Sequence, residues 1–287
     1  MARFVAVDWG TTNRRSYVIE EGAVVATERD DCGITAIAEG GFDAEVDRLQ
    51  ARFGGAPMLL AGMVGSNRGW IDAGYVPAPA DLDRLAAAVV RPRANVAVVP
   101  GISRSADGRG DVMRGEEVQL LGAVDAGLAP ADALLCQPGT HCKWVRMAKG
   151  AVADFTTAMT GEMFALLRDH ALIGREMIAQ PRDDAAFLGG VAESARGDLL
   201  GSLFGVRPAS LLGLRAQADA GSFVSGLLIG TDCRAHAAPG EPVYLLADGT
   251  IGALYARAIA AIGATARSID SHAAFVAGIT RIQDRLS

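Results

Sequence analysis

The chain begins with the apolar run Phe4-Val5-Ala6-Val7, stops it at Asp8, passes through Gly10-Thr11-Thr12, and returns as a second apolar-rich segment. Short apolar runs bounded by turn residues predict strands at 3–8, 15–20 and 22–28, the last two joined at Glu20-Glu21-Gly22. Phe42, Val46, Leu49 and Phe53 recur at helical spacing and predict a helix over 41–53. Strand 57–62 (PMLLAG), a helix near 80–90, strand 95–101 (NVAVVPG) and a helix near 115–127 closed by Gly127 complete the order βββαβαβα.

The second half repeats the plan. Strands are expected at 132–136, 142–147 and 150–155, with a helix over 159–171 and a long helical section after it. Strand 242–247 (PVYLLA), a helix over 250–263, strand 264–269 and a last helix over 270–285 follow. Gly139-Thr140 stands over Gly10-Thr11, and Gly150-Ala151-Val152 over Gly22-Ala23-Val24. Such an internal duplication predicts two like α/β domains, 1–128 and 129–287, with an interdomain cleft suited to a small ligand.

Half of the residues are apolar, ample for a large core, and the formal charge is −6 with no basic run. A nucleic-acid partner is therefore not expected. No apolar stretch approaches membrane-spanning length, and FVAV is too short for a signal peptide, so a cytoplasmic protein without a membrane partner is expected. Cys32, Cys136, Cys142 and Cys233 form no metal-binding pair, and His141, His170, His236 and His272 are scattered. Of 27 basic residues only Lys143 and Lys149 are lysines, which draws attention to where Lys143 stands.

A strand ending in Asp-x-Gly-Thr-Thr presents a carboxylate and loop amides at one edge. Gly10 admits close backbone approach, and the Thr11 and Thr12 hydroxyls suit phosphate oxygens. Asp8 repels a phosphate unless a magnesium ion, held through waters, intervenes. The second copy carries Gln137 in place of the acid but keeps Gly139 and Thr140 and adds Lys143, a compact cation. Two such loops facing each other predict a nucleoside-triphosphate site, and no GxxxxGK[ST] phosphate loop is present.

In DVMRGEEVQLLGAV (111–124), Glu116 and Glu117 open a helix. Acids there gain from the helix dipole without any catalytic role, but one of them facing the cleft can accept a proton from an attacking hydroxyl. Glu116 is the favoured base and Glu117 the alternative. The loop AGMVGSNRGWIDAGYVPAP (61–79) offers Ser66, Asn67, Arg68 and Trp70 to a polar ligand, and Arg15, Arg68 or Arg114 suits a carboxylate. Asp248, Gly249 and Thr250 turn a strand into a helix, as where a helix N-terminus meets a nucleotide.

The phrases DWGTTNRR, GMVGSNRGW, YVPAPA, DVMRGEEVQLLGA, PGTHCKW, MTGEMFALL and SGLLIG together resemble the 2-dehydro-3-deoxygalactonokinase family of the actin-like ATPase and sugar-kinase superfamily. The resemblance implies two duplicated ribonuclease H-like domains and ATP-dependent phosphorylation of 2-dehydro-3-deoxy-D-galactonate on its 6-hydroxyl, in galactonate breakdown. It implies ATP between the 8–12 and 139–143 loops, its nucleoside near Gly226 and residues 248–250, with Mg2+ held at Asp8. Asn13, Arg15, Ser66, Arg68, Trp70 and Arg114 are the candidates for holding the sugar acid, and a homodimer is admitted. The sequence departs from the superfamily in having Ala-Asp-Gly at 247–249 in place of a double glycine. A polyphosphate-hydrolysing relative is the alternative, because such enzymes also carry a Gly-Glu-Glu helix between phosphate loops. A sugar-sensing regulator on this fold usually carries an added DNA-binding helix pair and, with a first strand read from Arg3, is not expected.

Overall fold

The computed structural model describes residues 3–106 and 108–286, which fall into two compact units. The first comprises Met1–Asp132, Met147–Phe155 and Ser271–Ser287, and the second Ala133–Arg146 and Thr156–Asp270.

The first unit runs β1 (Phe4–Trp9), β2 (Arg14–Glu20), β3 (Ala23–Asp30), α1 (Phe42–Arg52), β4 (Met58–Gly62), β5 (Tyr75–Pro77), α2 (Leu82–Ala87), β6 (Val90–Arg93), β7 (Val96–Val98), β8 (Gly101–Ala106), β9 (Arg109–Met113) and α3 (Glu116–Asp125). Its main sheet has the order β3-β2-β1-β4-β7-β6. β1 pairs antiparallel with β2 and parallel with β4, which is parallel to β7. A central strand covered on both faces reads as a continuous apolar run, and in β1 only Asp8 escapes full burial. Val5, Val7 and Trp9 share a core with Val46 and Leu49 of α1, as the spacing predicts.

Then follow β10 (Ala133–Gln137), β11 (Cys142–Ala148), β12 (Ala151–Ala158), α4 (Thr160–His170), α5 (Ala185–Glu193), α6 (Leu199–Phe204), α7 (Val206–Leu211), α8 (Ala220–His236), β13 (Pro242–Leu245), α9 (Gly249–Ala261), β14 (Thr265–Ser268) and α10 (Ser271–Leu286). The sheet order is β12-β11-β10-β13-β14, with β13 parallel to both β10 and β14. That matches β3-β2-β1-β4-β7 position for position and bears out the expected duplication of a ribonuclease H-like plan. The hairpins match too: Glu21 and Gly22, like Lys149 and Gly150, have positive φ, the pair of angles that a two-residue hairpin turn requires.

Three features differ from the sequence pattern. β5, β8 and β9 form a separate three-stranded sheet, and β6 adds an antiparallel edge strand, so the first half is richer in strands than βββαβαβα. The long helical section resolves into four helices, α5 to α8. The last helix groups with the first unit, where Gly122 of α3 and Gly278 of α10 bring the two backbones together, so contacts do not divide the chain at 128. Among the described residues no helix is long and apolar enough to cross a membrane.

Candidate active site

In the first unit, β1 carries Asp8 to its carboxyl end, in register with Arg15 of β2. The loop beyond is pinned by its own backbone. Gly10 N–H donates to Asn13 O (2.9 Å), and the N–H groups of Ile34 and Thr35 donate to the carbonyls of Gly10 (3.0 Å) and Thr11 (3.1 Å). Gly33 permits this approach, since a Cβ there would lie 2.3 Å from the Thr11 carbonyl oxygen. Thr11 and Thr12 are left exposed beside a pocket of about 170 Å³ lined by Asp8, Gly10, Thr11, Thr12, Asn13, Arg14, Arg15 and Arg29. Asn13 donates to Thr12 Oγ1 (2.9 Å) and accepts from Arg29 (3.3 Å). Arg14 is buried under the loop, paired to Glu45 (2.5 Å) and Asp30 (2.6 Å).

The acidic helix reaches the same place through two glycines. A Cβ on Gly62 would sit 2.7 Å from the Trp9 carbonyl oxygen, and one on Gly115 would sit 3.2 Å from Gly62 Cα. Both residues have positive φ, so the ends of β1 and β4 and the start of α3 meet backbone to backbone. Glu116 is brought close enough for its charge to act on Asp8. Burial pushes the Asp8 carboxyl up to about 6, Arg15 opposes the rise, and Glu116 adds to it. Glu116 is partly buried and accepts from the Arg114 backbone N–H (3.0 Å).

Glu117 differs from its neighbour. It is fully buried, one oxygen accepts from Gly115 N–H (2.7 Å), and Oε1 has no hydrogen-bond partner. Burial, and then the charge of Glu116, push its carboxyl up to about 8, against the opposing backbone N–H groups and Arg114. The alternative base of the sequence reading thus has no exposed surface, and its carboxyl holds the start of α3 through Gly115 N–H.

Most of the residues expected to hold the acceptor are engaged within the protein. Ser66 is buried, donates to Met63 O (2.7 Å) and accepts from Arg68 N–H (3.3 Å), closing its own turn. The Trp70 indole donates to Asp43 (3.1 Å) under the Arg93 guanidinium. Arg15 contacts Tyr17 OH (3.4 Å) and His272 Nε2 (2.9 Å). Arg114 is buried over the Tyr75 ring and donates to Gly74 O (2.9 Å). Of Arg15, Arg68 and Arg114, Arg68 alone is exposed.

Among the described residues no cluster of three or more His, Cys, Asp or Glu is gathered for a metal. Magnesium does not need one, because it keeps waters and takes one or two carboxylates besides phosphate oxygens. Asp8 beside Glu116, two carboxyls whose charges oppose each other, is a donor set of that kind.

In the second unit, Gly139 and Thr140 are exposed and rest on the start of α4. Glu162 N–H donates to Thr140 O (2.9 Å), and a Cβ on Gly161 would lie 2.3 Å from Gly139 O. Lys143 lies within β11 and not in the loop; it is buried and donates to Thr157 Oγ1 (2.7 Å). A pocket of about 480 Å³ adjoins, walled by Phe164, Leu228, Ile229, Leu254 and Tyr255, with Gly139, Thr160, Ser225 and Thr250 supplying polar groups. Thr250 belongs to the first turn of α9, which Asp248 precedes and Gly249 opens with positive φ; all three are exposed.

Gly226 stands at the crossing of α8 with α5, where a Cβ would lie 2.0 Å from the Phe187 carbonyl oxygen. Sequence reasoning missed Asp232, whose buried carboxylate accepts from Trp144 Nε1 (2.8 Å), Thr160 Oγ1 (2.8 Å) and Tyr255 OH (2.7 Å). It ties two pocket-lining side chains to the sheet, and no spacing in the sequence announces it.

The family model for 2-keto-3-deoxy-galactonokinase matches residues 8–282. A curated relative from Rhizobium meliloti (strain 1021), a probable 2-dehydro-3-deoxygalactonokinase, is 37% identical over 96% of this chain and 95% of its own. The 2-dehydro-3-deoxygalactonokinase of Escherichia coli (strain K12) is 35% identical over 98% and 97%. The crystal structure of a putative 2-dehydro-3-deoxygalactonokinase from Sinorhizobium meliloti superposes with a TM-score of 0.92 at 34% identity, covering 99% of both chains. The Acidaminococcus fermentans (R)-2-hydroxyglutaryl-CoA dehydratase component A, 11% identical with a TM-score of 0.51 over the whole of both chains, shares the fold alone. With a near-complete family match and two curated relatives above one-third identity, the chain belongs to the 2-keto-3-deoxy-galactonokinase family.

Proposed function

We propose that the chain transfers the γ-phosphoryl group of ATP to the 6-hydroxyl of 2-dehydro-3-deoxy-D-galactonate, giving the 6-phosphate and ADP. The substrate follows from what the curated relatives are named for. The observation that carries the chemistry is the pairing of Asp8 and Glu116 at a pinned, glycine-bearing loop. A charge pair beside exposed threonines and free loop surface suits phosphoryl transfer, which depends on positioning and charge stabilisation.

Glu116 accepts the proton of the acceptor hydroxyl as its oxygen bonds to phosphorus and the bond to ADP breaks. Asp8, with Glu116 beside it, would hold a magnesium ion, which would offset the charge of the phosphate oxygens. The apolar walls of the second-unit pocket accept the nucleoside, and the Gly139 and Thr140 backbone meets its phosphates. Arg68 takes the sugar-acid carboxylate, matching the need for a cation in an acidic chain.

Phosphorus–proton correlation NMR of the product tests this. Coupling of the new phosphate to the two C6 protons is expected. A phosphate on another carbon, or inorganic phosphate alone, would refute it.

A further inference from the structure

The stretch between α4 and β13 is far longer than its counterpart between α1 and β4, and it builds a cavity of its own. This pocket, of about 290 Å³, lies between the end of α5, the start of α6 and Phe223 of α8. At about 3.6 residues per turn, Phe223 stands on the face of α8 opposite Ser225, Leu228 and Ile229, which line the larger pocket of the second unit. The two cavities are therefore separate, with α8 between them.

The lining of the smaller one holds a cation without a counter-charge. The Arg215 guanidinium lies over the Phe223 ring, Cζ 3.3 Å from the centroid, and Nη1 is buried with no hydrogen-bond partner. Among the described residues the rest of the guanidinium enters no hydrogen bond or ion pair. Burial draws its pKa below the usual arginine value, against the charges of Glu193 and Asp219. A desolvated donor left unmet costs stability, and a bound anion would relieve that cost.

The acids of the pocket are partly engaged already. Glu193 accepts from Ser202 Oγ on Oε1 (3.0 Å) and pairs with Arg196 through Oε2 (3.0 Å). Asp198 caps α6, accepting from Gly201 N–H on Oδ1 (2.9 Å), and its Oδ2 is open among the described residues. Ser202 gives its hydrogen to Glu193 and keeps lone pairs that can accept another. What remains is a cationic fork, a carboxylate oxygen and a hydroxyl lone pair. The fork suits a carboxylate. The two separate acceptors suit hydroxyl hydrogens, whereas an ammonium brings more donors to one point than they can meet. We infer that this pocket binds a small hydroxylated carboxylate, with its carboxylate on Arg215 and its hydroxyls on Asp198 and Ser202.

Saturation-transfer NMR of the full chain with D-gluconate tests the inference, and it does so whether or not the chain transfers phosphate. Transfer to gluconate is expected in wild type and equally in Arg68→Ala, which removes the carboxylate contact proposed for the active site. Arg215→Met keeps an unbranched side chain over Phe223. It should weaken gluconate binding by at least about tenfold, the loss of a charge-assisted contact, with turnover and circular dichroism unchanged. Asp198→Asn keeps the α6 cap; it should weaken gluconate several-fold and leave propionate, which has no hydroxyl, unaffected. No transfer to gluconate, transfer lost in Arg68→Ala but kept in Arg215→Met, propionate bound as tightly as gluconate, or Asp198→Asn without effect would each overturn it.

Discussion

Replacing Glu117 with Gln separates structural from chemical roles at the acidic helix. The native carboxyl is fully buried and sits at about 8 against an ordinary value of 4.5. At about 1.4 kcal/mol per pH unit, that displacement corresponds to about 5 kcal/mol. Below pH 4.5 both folded and unfolded chains hold the proton, so nothing is lost. Between 4.5 and 8 only the folded chain holds it, so stability falls as pH rises, and above 8 the full penalty stands. Gln imitates the protonated acid: its carbonyl oxygen accepts from Gly115 N–H, and its amide takes the place of Oε1, which has no partner. The variant should therefore lack this slope. Urea denaturation of both proteins from pH 5 to 8.5, followed by tryptophan fluorescence, should show the variant gaining about 4 kcal/mol on wild type between pH 5 and 8. Turnover should stay within a few-fold, whereas Glu116→Gln should lower the chemical step by about 10²–10⁴-fold. A stability difference that stays flat with pH would refute the buried protonated acid. A loss of turnover in Glu117→Gln matching that of Glu116→Gln would refute the division of roles.

Arg68→Ala should raise the KM for the sugar acid by about 100-fold, the loss of a charge-assisted carboxylate contact, while the KM for ATP stays within two-fold; equal effects on both would count against the assignment. Gly226→Ala should cost at least about 2 kcal/mol through overpacking against Phe187, seen as a lower melting temperature with ATP affinity retained; unchanged stability with weaker ATP binding would place Gly226 at the nucleotide instead. Asp232→Asn leaves a buried donor of Trp144, Thr160 or Tyr255 facing an amide N–H, so it should destabilise by about 1–3 kcal/mol and raise the KM for ATP. Differential scanning fluorimetry with and without ATP checks both effects, and an unaltered melting temperature would contradict the network.

The duplicated plan was legible because β1 and β10 are buried central strands, so their apolar runs are written without interruption. β5, β6, β8 and β9 were not, since short peripheral strands such as RGDVM bury too little to imprint a period. α8 is buried nearly all round and so lacks the amphipathic rhythm that would have separated it from its neighbours. At the site, a glycine announces close approach without saying what approaches, and Gly226 meets a helix where Gly33 meets a loop. Glu116 and Glu117 are adjacent in sequence and differ in burial, a distinction that only the packing of Gly62 on Gly115 decides. The Asp232 network converges from β11, α4 and α9, and such convergence exists only after folding.

Coupled-enzyme measurement of ADP release with magnesium, with and without 2-dehydro-3-deoxy-D-galactonate, tests the kinase assignment most directly. One ADP should appear for each sugar acid consumed, and almost none in its absence. Sugar-independent release of phosphate from polyphosphate, or no ADP with any keto-deoxy sugar acid, would contradict it.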